Sequence, residues 1–97
     1  MPLYVIEREF ADQLEKRRET FEGVIRANEV AGVEWLFSFL SADRKKTYCL
    51  YEAPNPEAIR EAARLAGIPA DAIIEVTELR PEAYGLPAGK STLLSAR

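Results

Sequence analysis

The chain has 97 residues, 47% of them hydrophobic and 30% charged, with 13 Lys and Arg against 16 Asp and Glu for a formal charge of -3. That is the length of one domain, burying roughly two-thirds of its unfolded surface, so a partner subunit would add to the core; the acidic balance lacks the basic excess that a nucleic-acid backbone demands. The lone Cys49 excludes an internal disulfide and a Cys-pair zinc ribbon, and the absence of histidine removes the commonest general base and the commonest transition-metal ligand together.

The opening residues show no charged n-region followed by a long apolar run, and no later run is long enough to span a bilayer. The expectation is a soluble, cytoplasmic protein without a membrane partner. Residues 3–8 (L-Y-V-I-E-R) alternate β-favouring side chains and predict a first strand. Asp12, with Glu15 three residues on, predicts a capping box opening a helix that runs to about Val30. Leu14, Phe21, Val24, Ile25 and Asn28 form its inner stripe, and Gly23 within it points to close packing or a kink.

Residues 33–42 and 46–52 predict two further strands. The charged connector Asp43-Arg44-Lys45 is short enough for an antiparallel hairpin whose basic tip, with Lys46, is expected to be solvated and to discourage edge pairing. Asn55 predicts the cap of a second helix, with Pro56 in its first turn and Gly67 at its end; Ile59, Ala62, Ala63 and Ala66 make a small-residue stripe suited to lying close on a sheet. Residues 72–79 predict the last strand, and the Pro- and Gly-rich remainder reads as a tail or arm. The domain is therefore placed at residues 1–79 and the tail at 80–97.

Strand, helix, strand, strand, helix, strand is the α+β, ferredoxin-like βαββαβ order: a four-stranded antiparallel sheet with two helices on one face, put there by right-handed crossovers. The other face is left open. Simple alternation through V-E-W-L-F-S-F-L, residues 33–40, places Trp35, Phe37 and Phe39 on that face, a patch large enough to call for cover. The expected cover is a second copy packed sheet to sheet, a dimeric α+β barrel-type homodimer able to hold a small apolar ligand between its sheets. An even hairpin loop groups Phe37 and Phe39 with Tyr48, Leu50 and Glu52, and sends Cys49 and Tyr51 under the helices with Leu36 and Leu40; an odd loop exchanges the two sets. The even loop is the expectation, because two-residue turns are the commonest class.

Candidate ligand-binding residues are then Glu7, Trp35, Phe37, Phe39, Tyr48 and Glu52. The aromatic side chains offer an apolar wall with a phenol as polar handle, or simply a dimer core. Glu7, where the first strand reaches its rim, is either a ligand-orienting carboxylate or one half of a solvated ion pair. Cys49 has no histidine to deprotonate it and is expected to fill core. The tail stretch G-L-P-A-G-K-S-T, residues 85–92, mimics a phosphate-binding loop, but its first glycine stands one residue too close to Gly89-Lys90-Ser91. Nucleotide binding is excluded on that spacing. Leu93 and Leu94 are expected to dock the tail on its own domain or a neighbour.

Four blocks in one order, Y-V-I-E-R-E, V-E-W-L-F-S-F-L, K-T-Y-C-L-Y-E-A-P and I-R-E-A-A-R-L-A-G-I-P, give the chain a resemblance over residues 3–79 to a bacterial domain family of unknown function that includes a small nickel-binding protein of ferredoxin-like fold and dimeric assembly. Members of that family read W-x-H-S-Y in the second strand and often R-E-H-A in the second helix; here Phe37 and Ala62 stand at the two histidine positions. The resemblance therefore implies the fold, and implies nickel only as a cofactor whose imidazole ligands are missing. Glu7, Glu34, Glu52 and Cys49 are the other conceivable donors. Glu34 is expected to point away from Phe37, and Cys49 away from Glu52, so no metal site is expected. Three functions are carried forward: a homodimeric binding protein for a small ligand; a cofactor-free enzyme of the dimeric barrel kind, using Glu7 or Tyr48 for proton transfer; and a purely structural interaction module.

Overall fold

Two-residue periodicity builds the sheet. In the computed structural model, which describes residues 1–12, 14 and 17–89, strand β1 (Leu3–Glu9) buries Tyr4, Ile6 and Arg8 and turns Leu3, Val5 and Glu7 the other way. Strand β3 (Lys46–Glu52) likewise buries Thr47, Cys49 and Tyr51. These are the two central strands. Strand β2 (Glu34–Leu40) flanks β3 and β4 (Ala72–Val76) flanks β1, giving the order β2-β3-β1-β4 with every neighbouring pair antiparallel. With helices α1 (Arg18–Ala31) and α2 (Pro56–Ala66) in the crossovers, this is the expected ferredoxin-like arrangement. Among the described residues no helix is long and apolar enough to cross a membrane.

Helix α2 follows its sequence signals closely. The Asn55 side chain accepts a 2.9 Å hydrogen bond from the Ala58 amide, Pro56 occupies the first turn, and Gly67 ends the helix at φ 69°, a conformation that favours glycine. Its Ile59 and Ala62 pack into the core with Tyr4, Ile6, Cys49 and Tyr51. Helix α1 departs from expectation at its start. Its first residue is Arg18, preceded by Arg17 without a side-chain cap, so Asp12 is not the cap of α1; Glu15 lies outside the described residues. Tertiary bonds prevail over the local signal here. The Phe10 amide donates to the Lys45 carbonyl (2.7 Å), the Leu14 amide to the Arg44 carbonyl (2.8 Å), and the Arg44 guanidinium to the Leu14 carbonyl (2.8 Å), tying the segment before α1 to the β2–β3 hairpin. Within α1 the buried positions are Val24, Ala27 and Asn28, whereas Ile25, expected in the stripe, is exposed. Nothing presses on Gly23: a Cβ there would meet only the Arg26 side chain, at 3.9 Å.

The hairpin tip is less solvated than its composition suggests. Arg44 is half-buried at φ 63° and clasps Leu14, and Lys46 reaches the Glu7 carboxylate at 3.0 Å. Residues 42–45 form the loop beyond the Ser41–Lys46 backbone bond, an even number. As expected for that parity, Phe37 pairs with Leu50 and Phe39 with Tyr48 on the open face. Strand β4 stops at Val76 rather than residue 79, because Val76 already pairs with Leu3, the first residue of β1, and further residues find no partner. After it comes a short 3-10 turn, Pro81–Tyr84. Lys90, Ser91 and Thr92 of the loop-like stretch, and Leu93 and Leu94, lie outside the described residues.

Candidate functional site

The register sorts the expected site residues onto two faces. Strand β2 carries an irregularity between Trp35 and Phe37, where Leu36 has no partner on β3. A bulge of this kind adds one residue and reverses the alternation. Upstream of it Trp35 pairs with Tyr51 and faces the helices; downstream Phe37 and Phe39 face outward. The expectation that Trp35 joins the two phenylalanines is thus corrected. Glu34 is reversed with it: it stands opposite Glu52 on the open face, the same side as Phe37. Cys49 points away from Glu52, as expected.

Glu7, Phe37, Phe39, Tyr48 and Glu52 do share the open face. One row crosses all four strands there, Phe37–Leu50–Val5–Ile74, and beside it lies Phe39–Tyr48–Glu7–Ala72. Phe37 and Phe39 meet edge to face with ring centres 5.7 Å apart. Phe39 is 49% exposed, Tyr48 40% and Ile74 56%. The Glu7–Lys46 pair closes one end, and the Glu7 hydrogen bond and charge hold the Lys46 ammonium above its ordinary pKa.

Beneath α1, on the opposite face, lies a pocket of about 270 Å³. Its floor is the sheet, where Ser38, Thr47 and Cys49 are too small to fill the space below the helix. Phe21 and Val24 of α1, with Trp35 and Leu40 of β2, make the apolar walls; the hairpin-bound segment contributes Phe10 and Leu14. The Trp35 ring sits 5.8 Å from Phe21, and its indole N–H donates to the Ser38 hydroxyl at 2.8 Å. Neither Glu7 nor Tyr48, the residues considered for proton transfer, lines this space.

The buried polar residues of the pocket are Arg8, Thr47 and Tyr51. Arg8 is 3% exposed, donates to the Pro69 carbonyl, and places its guanidinium carbon 5.7 Å from the centre of the Tyr51 ring. Tyr51 accepts a 3.3 Å hydrogen bond from the Asn28 amide. Burial pushes its phenol above the ordinary value, opposed by the Arg8 charge and the Asn28 bond. Arg8 is not among the expected site residues, and Cys49 is expected there only as core filler or a conceivable metal donor. Arg8 was nonetheless legible, since it falls in phase with Tyr4 and Ile6, which the alternation assigns to one face.

Comparison with known proteins fits this architecture. The crystal structure of SCO4226 from Streptomyces coelicolor A3(2) superposes with a TM-score of 0.69 at 19% identity, covering 79% of this chain and 98% of that one, a likeness that shows the fold. Curated protein sequences give no significant match. The family described as nickel responsive protein SCO4226-like matches residues 4–76, from the buried face of β1 to the end of β4. On that match the chain belongs to the SCO4226-like family of nickel-responsive proteins.

Proposed function

We propose that this chain is a small-molecule-binding member of its family, a cytoplasmic homodimer whose ligand occupies the pocket under α1. The observation that carries the reading is the pocket itself: about 270 Å³ of space walled by aromatic and aliphatic side chains, with a few polar groups on its floor. Sites for small molecules have this make-up, and a space of this size left empty would forfeit packing. Trp35, the only tryptophan, reports on it. Titration with 1-octanol should shift and quench the Trp35 emission saturably. An emission unchanged up to the solubility of the alcohol refutes the reading.

The homodimer rests on the open face. Its apolar row and the exposed Phe39 and Ile74 make a contiguous patch that a second copy can cover sheet to sheet. Sedimentation should find dimers at micromolar concentration, and Phe37→Asp should return them to monomers; single chains in the unmodified protein count against it. The buried, free Cys49 suits a reducing compartment.

The family name carries nickel, and the donors present do not fit it. Nickel(II) favours imidazole nitrogen, and the sequence has no histidine. Among the described residues no three His, Cys, Asp or Glu side chains come together to hold a metal ion. Glu34 and Glu52 face each other across β2 and β3, but Cys49 lies on the other side of the sheet. The responsive element of the family is therefore read here as the pocket and not as a metal centre.

A further inference from the structure

The pocket's polar groups share one property. The Ser38 hydroxyl accepts from the Trp35 indole, the Thr47 hydroxyl from the Cys49 thiol at 3.5 Å, and the Tyr51 hydroxyl from the Asn28 amide. None of the three donates its own hydrogen to an acceptor among the described residues. Among the described residues the Arg8 guanidinium, with five N–H donors, donates only to the Pro69 carbonyl and otherwise lies 5.7 Å from the centre of the Tyr51 ring, and no described carboxylate pairs with its charge. Glu7 and Glu9, its sequence neighbours, belong to the opposite phase of β1. Arg8 and Thr47 are direct cross-strand partners, and Ser38 lies opposite Cys49 in the adjacent row.

A nearly buried cation without a counter-charge is costly in a protein interior, and the cost falls when an anion enters. Here the remaining hydrogen-bonding capacity around it is for donation. We propose, building on the pocket reading above, that the ligand is a small amphiphilic monocarboxylate, its acid group held by Arg8 with Thr47 and Tyr51 and its apolar body against Trp35 and Phe21. One guanidinium supplies one positive charge in a planar fork that matches a carboxylate. A phosphate dianion would leave excess charge in an apolar space.

The test compares octanoate with 1-octanol at neutral pH, read by Trp35 emission. Octanol is the more readily driven out of water, so hydrophobic partition alone favours it. The wild-type protein should instead bind octanoate at least about tenfold more tightly. Arg8→Met should abolish that preference while leaving octanol binding in place, and Thr47→Val should weaken octanoate several-fold and octanol little. Equal affinities, or a preference for octanol, in the wild-type protein overturn the carboxylate assignment while the pocket reading stands. A preference for octanoate that survives Arg8→Met overturns it as well. Failure of both ligands to move the Trp35 emission removes the pocket reading and the assignment together. The wild-type comparison needs no variant to fold.

Discussion

Replacing Cys49 by leucine sets two effects of opposite sign against each other. Cys49 is 6% exposed, and in a close-packed interior the larger side chain would force its neighbours apart at about 1–3 kcal/mol. Cys49 also borders the pocket under α1, where about 270 Å³ has no side chain in it. Leucine has two more heavy atoms than cysteine, and burying two carbon groups at about 0.8 kcal/mol each gives roughly 1.6 kcal/mol of stabilisation. The pocket mouth is open to water and the 3.5 Å thiol contact with Thr47 is lost, which reduces the net gain to about 1 kcal/mol. For a domain of this size that raises the melting temperature by about 4–8 °C. Differential scanning calorimetry should record the rise, and octanol should bind more weakly, read by Trp35 emission, because the leucine takes part of its space. A fall of similar size would show that Cys49 is packed on all sides and that the pocket is not room a side chain can use.

Three further outcomes follow from other parts of the molecule. Arg44 sits at φ 63°, where a Cβ is strained, so Arg44→Gly should be more stable than Arg44→Ala by about 1 kcal/mol in urea unfolding, although both lose the bond to Leu14; equal midpoints would refute the strain. The Ser41 hydroxyl and the Lys45 amide hold the Asp43 carboxyl below its usual pKa. Because the folded value lies below the unfolded one, the stabilisation is present at neutral pH and above the unfolded pKa of about 3.9, and it is lost as pH falls through the folded pKa. Carboxyl NMR titration should find Asp43 low in the native protein and raised part of the way back by Ser41→Ala, since the Lys45 amide bond remains; an unmoved midpoint counts against the Ser41 bond. Nickel titrated into protein without a polyhistidine tag should show no stoichiometric uptake, and one ion bound per chain would overturn the reading of the donor set.

How far the residues alone could be read depended on whether the signal was local. Asn55, Pro56 and Gly67 carry the second helix in their own conformational preferences, and the observed helix ends where they place it. Asp12 offered a comparable signal and was outweighed, because Phe10 and Leu14 take their hydrogen bonds from a hairpin some thirty residues away. Five of the six expected ligand residues share a face, as alternation requires; Trp35 does not, because the irregularity at Leu36 leaves no mark such as a glycine in the sequence.

The element order, the second helix and the alternation of the central strands belong to the sequence, since each rests on preferences of residues close together in the chain. The pocket belongs to the tertiary structure. It exists because a bulge turns Trp35 inward, because α1 starts late, and because Ser38, Thr47 and Cys49 from two neighbouring strands are all small beneath it. Arg8 shows the division most plainly: its phase in β1 is written in the sequence, but that its charge meets no carboxylate among the described residues is decided by which distant side chains the fold brings to it.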